Sequence, residues 1–259
     1  MSTEALINQL AEQAGISGWE IRYRNAIRPG QSLPNGQIAD EGTGMVETLE
    51  AVKADFEKYE ADPNYFVGIA SAMKNAGIGV GLADVGRCIL RVRDGKVVTG
   101  SSAAAIGQGL QTITLQMVCQ TTGLEPEQVI VGHPDTKYTP DSGTTTASRQ
   151  TVFTGEAIHI AAMKLKEDLN AGLSLGDLEG KEYYGEFDFK TDPIGSDKPN
   201  PVSHIAYGYA TQLFVLDTEG KVVNVIAAHD IGKAINPLAA EGQVEGGVAM
   251  GLGYGLTED

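Results

Sequence analysis

Residues 88–110, CILRVRDGKVVTGSSAAAIGQGL, contain the local pattern that decides the fold. Two apolar runs flank Asp94-Gly95, a dipeptide typical of the two-residue turn of a β-hairpin. After a stretch of small residues, Ile106 and Gly107 lead into apolar residues at helical spacing. The sequence therefore predicts a hairpin, a short loop and a helix, in that order.

A weak internal repeat extends this pattern to the second half of the chain. Asp94–Gly107 aligns without gaps on Glu219–Gly232, at a constant offset of 125 residues. One interpretation is that two hairpins converged by chance on a favoured turn. The other is that the chain has two equivalent βαβ-like halves, whose Ile-Gly corners face one site.

Composition bounds the class of protein. The chain has 259 residues, 42% hydrophobic and 20% charged, which is typical of one large or two small soluble globular domains. Its net charge of −15 argues against a nucleic-acid partner, because such a surface does not attract phosphates. Two isolated cysteines predict neither a zinc site nor a disulfide framework, and no apolar run reaches the roughly 18 residues of a membrane span. We expect a cytoplasmic protein with no nucleic-acid or membrane partner.

The remaining patterns predict a mixed α/β (α+β) fold, in which helices pack on a mixed sheet. Residues 1–60 are expected to form a helical lead-in and linker, and residues 61–259 the main, β-rich subdomain. Ser148 is expected to cap a helix. The other predicted elements are strands at 78–82, 129–131, 204–216 and 221–228, a loop-rich excursion over 172–203, and a glycine-rich helix over 238–256.

Three glycine-punctuated segments suggest a binding site. Gly107 and Gly109 let a ligand approach the backbone at a helix start, and Gln108 between them has an amide that donates and accepts. The run Thr144–Ser148 places four hydroxyls beside another helix start, where capping needs only one. Gln243 lies in the glycine-rich helix. Each segment has an ordinary structural interpretation, as a turn, a cap or a solvated face, beside that of an anion or cofactor site.

As a set, these segments resemble the molybdenum-cofactor-binding part of the molybdenum hydroxylases, the xanthine dehydrogenase and aldehyde oxidase family. The resemblance runs from Ala11 to Glu258. Asp141–Gln150 looks most like the selenium-dependent xanthine dehydrogenases. The segments that carry the resemblance are Gly107-Gln108-Gly109, Pro140–Ser148, Asp230–Pro237 and Gly242–Gly247.

The resemblance implies a molybdopterin cytosine dinucleotide with molybdenum, no direct protein ligand to the metal, and iron–sulfur and FAD centres on other domains or subunits. It implies hydroxylation of a purine such as xanthine or hypoxanthine, with water as the oxygen source. Thr146 and Ala147 would lie nearest the metal and substrate. The residues expected to bind the cofactor are Gly107, Gln108, Gly109, Thr145, Thr146, Ala147, Ser148 and Gln243.

One departure from the family pattern concerns catalysis. The family's general base is a glutamate well downstream of the Gln243 helix, and no position up to Asp259 matches it. We therefore expect no catalytic residue in this chain and an inactive isolated fragment, which would need the rest of the cofactor domain and the redox domains or subunits as partners. The alternatives are an aldehyde- or nicotinate-oxidising relative and a non-catalytic scaffold module of the same fold.

Overall fold

A computed structural model describes residues 2–258 of the chain. Six helices and seven strands are assigned within these residues. In chain order they are α1 (Ser2–Ala14), α2 (Gly18–Asn25), α3 (Met45–Glu60), β1 (Tyr65–Ala76), β2 (Val85–Arg93), β3 (Lys96–Gly100), α4 (Leu110–Thr122), β4 (Val129–Val131), α5 (Gln150–Asn170), β5 (Glu182–Asp188), β6 (Ala206–Asp217), β7 (Val222–Asp230) and α6 (Pro237–Leu256).

The first sheet is antiparallel and has the strand order β1-β6-β7. Helix α3 packs on it because Leu49, Val52 and Phe56 recur at helical spacing and form one apolar face. These three side chains are buried in one core with Ile69 of β1 and Leu213 of β6. The lead-in helices thus share a core with the sheet, and the domain boundary at residue 60 stays a prediction.

The second sheet is mixed and has the order β4-β3-β2-β5, with β4 parallel to β3 and the other pairs antiparallel. Its buried face lies under α4 and α5. Helix α5 approaches this sheet closely at Gly86 and Gly185, where a Cβ atom would collide with the α5 backbone at Phe153 and Ala157. The predicted mixed fold with packed helices is confirmed.

The predicted repeat corresponds to two hairpins in different sheets. The β2–β3 turn has positive φ at Asp94 (51°) and Gly95 (67°), as a two-residue hairpin turn of this kind requires. The β6–β7 turn lies at Glu219-Gly220. Each hairpin leads through an Ile-Gly corner into a helix, α4 or α6. Only the first unit is a β-α-β unit within residues 2–258, because β4 returns beside β3.

The strand predicted at 78–82 is wrong. Strand β1 ends at Ala76, and the chain then turns through three consecutive positive-φ residues, Gly79, Val80 and Gly81. A left-handed run of this kind cannot join a strand ladder. The apolar residues of this segment form a loop, in which the Val80 N–H donates to the Ser203 carbonyl at 2.7 Å.

The predicted excursion over 172–203 is also corrected, because it contains strand β5. Burial alternates along β5, with Tyr183 and Gly185 facing the core and the carboxylates of Glu182 and Glu186 outside. Acidic residues on the outer face made the segment resemble a solvated loop. The strand predicted from residue 204 begins two residues later, at Ala206. No helix within residues 2–258 combines the length and apolarity needed to cross a membrane.

Candidate cofactor site

The start of α4 is shaped by two glycines. Gly107 (φ 103°) and Gly109 (φ 80°, at the N-cap position) occupy the left-handed region that disfavours other residues. The Gln108 amide closes the turn: its Oε1 accepts from the Ile106 N–H at 2.6 Å and its Nε2 donates to the Ala104 carbonyl at 3.2 Å. The Gln108 side chain therefore holds the loop in shape.

Backbone donors are available at this helix start. The first N–H groups of an α-helix have no partner within the helix, and the helix dipole gives them partial positive charge. Among residues 2–258, no atom accepts a hydrogen bond from the N–H groups of Gln108, Gly109 or Leu110. The first paired amide is that of Ile113, which donates to the Gly109 carbonyl at 3.1 Å. Such an array is suited to binding an anion.

The hydroxyl-rich segment reaches the same place. The Thr145 Oγ1 donates to the Ala104 carbonyl at 2.7 Å, and the Gln108 side chain bonds to the same oxygen. Two loops that are about 40 residues apart in sequence are thus joined at one carbonyl, which has two lone pairs to offer. The structure brings the first two predicted segments into direct contact.

The Thr144–Ser148 loop is strained and open. Ala147 (φ 49°) and Ser148 (φ 55°) both lie in the left-handed region, which costs about 1–2 kcal/mol for each non-glycine residue. The N–H groups of this loop meet no acceptor among residues 2–258. Strain of this kind persists only where the surrounding structure fixes it, and it is concentrated at functional sites.

The predicted helix cap at Ser148 is wrong. Helix α5 begins at Gln150, the N-cap position is Arg149, and no side chain caps the helix. A left-handed Ser148 cannot take the extended conformation that an N-cap residue usually has. Its exposed hydroxyl forms no hydrogen bond with the described part of the chain and is available for a ligand.

The third segment begins beside the first. The Asn236 side chain caps α6 by accepting from the Ala239 N–H at 2.9 Å. A methyl group placed at Gly109 would lie 3.8 Å from the Cβ atom of Ala239, so the starts of α4 and α6 are adjacent. Gln243 is exposed and follows Ala239 by one helical turn, roughly 6 Å along the axis. All three predicted segments therefore lie at one end of the molecule.

Helix α6 is unusual in being uncovered. None of its 20 residues is buried, and a Cβ atom at Gly242, Gly246 or Gly247 would meet no atom within 4 Å. Leu238 and Met250 are 79% and 74% exposed. A helix this apolar normally packs against another surface.

One cavity lies beside the predicted segments and another, larger cavity lies away from them. The smaller, about 40 Å³, lies under the α4 start, and the residues that line it include Ser101, Ala103, Ala105, Leu110 and Gln111. The larger, about 410 Å³, lies between α1, α2, α3 and β1 and includes no residue of the three segments. The candidate site is thus a largely exposed surface with a small recess under the α4 start.

These residues fit an anionic, heteroatom-rich cofactor. The donors are backbone N–H groups and hydroxyls, and the nearby exposed Asp141 carboxylate accepts from the Gly143 N–H at 3.0 Å. Arg149 is 1% exposed and lies behind the loop. Asp84, which no sequence motif singled out, is its partner. Within residues 2–258 no three His, Cys, Asp or Glu side chains gather as a metal-binding group.

The two-sheet fold, with glycine-rich segments converging at adjacent helix starts, defines a cofactor-binding α/β domain. The sequence profile of the molybdopterin cofactor-binding domain matches residues 45–176 and 173–259. The chain therefore belongs to this family, the cofactor-binding domain of xanthine dehydrogenase and aldehyde oxidoreductase type.

Similar proteins agree with this assignment. The chain is 28% identical to the xanthine dehydrogenase molybdenum-binding subunit of Escherichia coli O157:H7, over all of this chain and 40% of that protein. It is 27% identical to the aldehyde oxidoreductase of Megalodesulfovibrio gigas, over all of this chain and 31% of that protein. The crystal structure of the aldehyde oxidoreductase from Desulfovibrio desulfuricans superposes with a TM-score of 0.83 at 26% identity, over 97% of this chain and 30% of that one. The chain thus spans well under half of each relative's length.

Proposed function

We propose that this domain binds molybdopterin cytosine dinucleotide in a molybdenum hydroxylase that oxidises a purine such as xanthine or hypoxanthine. The observation that carries the proposal is the convergence of three segments around unpaired backbone N–H groups at the α4 start. When bound, the molybdenum centre supplies the oxygen-transfer and redox chemistry of the hydroxylation. Membership of the molybdopterin cofactor-binding family supports the choice of cofactor.

The proposed roles follow from the geometry of the donors. Gly107 and Gly109 keep the α4 start free of side chains, and the N–H groups that follow bind phosphate. Gln108 acts through its backbone N–H, because its amide is engaged in the turn. The amides of Thr145 and Ser148 and the Ser148 hydroxyl hold the pterin side, while the Thr145 hydroxyl joins the two loops. The proposal places Thr146 and Ala147 nearest the metal and substrate, and gives the exposed Gln243 amide a direct contact with the cofactor.

The proposal includes partners beyond this chain. Iron–sulfur centres would lie on other domains or subunits, because the chain's two cysteines cannot ligate a cluster that needs four, and the proposal places FAD on other domains or subunits as well. The uncovered α6 is consistent with contact to the rest of a cofactor domain. The proposal includes selenium at the active site only because Asp141–Gln150 resembles the selenium-dependent xanthine dehydrogenases.

A second function, aldehyde oxidation, is favoured by a specific observation. The superposition on the aldehyde oxidoreductase of Desulfovibrio desulfuricans covers nearly the whole chain with a TM-score of 0.83. The two functions differ in substrate and share the cofactor. A substrate panel of xanthine, hypoxanthine, nicotinate and aldehydes on the complete enzyme separates them, since turnover of aldehydes without purines would contradict the first proposal.

Cofactor analysis tests the proposal itself. The complete enzyme, produced with molybdate, should hold molybdenum and pterin in stoichiometric amounts, measured by elemental analysis and by fluorescence of the oxidised pterin. Absence of both would contradict the proposal and favour a scaffold module.

The variant Thr145→Val tests the site. It removes the hydroxyl that joins the two loops, and we expect cofactor retention to fall about fivefold, since an intramolecular hydrogen bond contributes on the order of 1 kcal/mol. The control is Thr122→Val, because the Thr122 Oγ1 also donates to a carbonyl, that of Val118 at 2.8 Å, within α4. Equal retention in the two variants would place the cofactor elsewhere.

A further inference from the structure

A buried ion pair lies directly behind the Thr144–Ser148 loop. The Arg149 Nε donates to the Asp84 Oδ1 at 2.5 Å, and each side chain is 1% exposed. The other ion pairs among residues 2–258 have at least one partner that is substantially more exposed. A pair removed from water in this way is tolerated only if its remaining donors and acceptors are satisfied.

The remaining donors of Arg149 bond to the backbone at the loop. Its Nη1 donates to the Ser142 carbonyl at 2.6 Å and to the Thr144 carbonyl at 3.2 Å. Its Nη2 donates to the Val85 carbonyl at 2.8 Å, which ties the loop to the start of β2. The planar guanidinium therefore bonds to three backbone carbonyls at once and holds the Ser142–Thr144 backbone against the start of β2.

Asp84 anchors the pair from the other side. Its second oxygen, Oδ2, accepts from the Ile78 N–H at 2.7 Å, in the segment that follows β1. In the same segment the Gly77 N–H donates to the Ala147 carbonyl at 2.9 Å. One ion pair thus connects the 77–84 segment with both ends of the Thr144–Ser148 loop.

The backbone at the start of the loop packs tightly against Arg149. A Cβ atom at Gly143 would lie 3.0 Å from the Arg149 Nη1, so the backbone there is pressed against the guanidinium. The left-handed Ala147 and Ser148 lie between this point and Arg149 itself. Because these conformations are costly, the contacts that hold them determine which way the loop's N–H groups point.

We propose that Arg149, fixed by Asp84, is the positioning residue that sets the shape of the Thr144–Ser148 loop and thereby its affinity for the cofactor. This inference rests on the proposed function. Arg149 does not touch the cofactor, because it is buried behind the loop. Lysine would keep the positive charge but has a single ammonium group in place of the planar guanidinium. The carbonyls of Ser142, Thr144 and Val85 could then not all be bonded at once.

The test is Arg149→Lys in the complete enzyme, with Arg22→Lys as the matched control. Arg22 is also buried and bonds to the Glu4 carboxylate at 2.8 Å, and none of its hydrogen bonds within residues 2–258 is to the Thr144–Ser148 loop. Three quantities are measured for each variant: the unfolding midpoint, the hydrogen-exchange rate of the Gly77 amide, which donates to the loop, and the rate of pterin release. For Arg149→Lys we expect exchange and release to accelerate about tenfold or more, whereas Arg22→Lys changes only the unfolding midpoint.

Equal release rates in the two variants at equal loss of stability would overturn the inference, because Arg149 would then be only structural. If Arg149→Lys does not fold, Asp84→Asn keeps the shape of the partner and removes its charge, and unchanged exchange and release in that variant would equally contradict the proposal.

Wild-type enzyme without pterin contradicts the proposed function instead. Wild-type enzyme with pterin that Arg149→Lys retains normally contradicts the role of Arg149 alone.

Discussion

At the scale of single residues, the carbonyl of Ala104 organises the candidate site. It accepts from the Gln108 side chain at 3.2 Å and from the Thr145 hydroxyl at 2.7 Å. Both lone pairs of one oxygen are used, so that neither loop can shift without losing a bond. The site is thus built from backbone groups whose direction is fixed by a few side chains.

Two histidines couple the charge state of the molecule to its stability. Burial, followed by the positive charge of Lys74, lowers the pKa of His204, and a bond to the Ile78 carbonyl partly opposes this shift. Burial also lowers the pKa of His229, whose Nε2 lies 3.3 Å from the Gln212 amide. The folded protein therefore favours both histidines in the neutral form.

We expect the free energy of unfolding to decrease as the pH falls through about 6.5, the ordinary histidine pKa. In that window the unfolded chain binds protons that the folded chain does not, with a slope of at most about 1.4 kcal/mol per pH unit for each histidine. Urea unfolding between pH 7.5 and 5.5 measures this slope. His204→Gln should reduce it, and a pH-independent difference between wild type and variant would show that His204 is not a source.

At the scale of secondary structure, glycine has opposite roles in α5 packing and in α6. At Gly185 of β5 a Cβ atom would collide with the Ala157 carbonyl of α5, so that Gly185→Ala should lower the unfolding free energy by at least about 2 kcal/mol. At Gly246 of α6 nothing lies within 4 Å, so that Gly246→Ala should raise it by roughly 1 kcal/mol through helix propensity. Urea unfolding of the chain measures both.

The same Gly246→Ala substitution should have the reverse effect in the complete enzyme. If the bare face of α6 exists so that cofactor or partner can approach, an added methyl group lowers cofactor retention there while it stabilises the isolated chain. Improved stability together with unchanged retention would show that the α6 glycines serve no close approach.

The elements that the sequence predicts well are those specified locally. The Asp94-Gly95 turn and the glycine-rich helix predicted over 238–256, which corresponds to α6, each depend on residues within a few positions. The sequence does not predict strand β5, because its position depends on pairing with β2, about 100 residues earlier. The carboxylates on its outer face also obscure the alternation of buried and exposed residues. The sequence wrongly predicts a strand at 78–82, because a pattern of apolar residues does not show that Val80 has a left-handed backbone conformation.

The candidate site shows the same division. Its three segments could be found from glycines and hydroxyls, yet the role of the Gln108 amide in its own turn could not. Neither could the Asp84–Arg149 pair, since 65 residues separate its members and no local motif links them. Convergence in space is a tertiary property, and sequence spacing alone does not encode it.

At the scale of the whole molecule, two hairpin–helix units from different sheets place their helix starts side by side. Their Ile-Gly corners correspond, since Gly107 and Gly232 both have positive φ and Ile106 and Ile231 are both exposed. The arrangement places two helix N-termini side by side, and their partial positive charge offsets the net charge of −15 where an anionic cofactor would bind. We infer that the repeat has a structural basis.

The most direct test is the structure of the complete enzyme with its cofactor bound. We expect pterin or phosphate atoms within about 3.5 Å of the Gly109 N–H, the Thr145–Ser148 amides and the Gln243 side chain. A cofactor bound on the order of 10 Å or more from these groups, beyond the width of a helix, would contradict it.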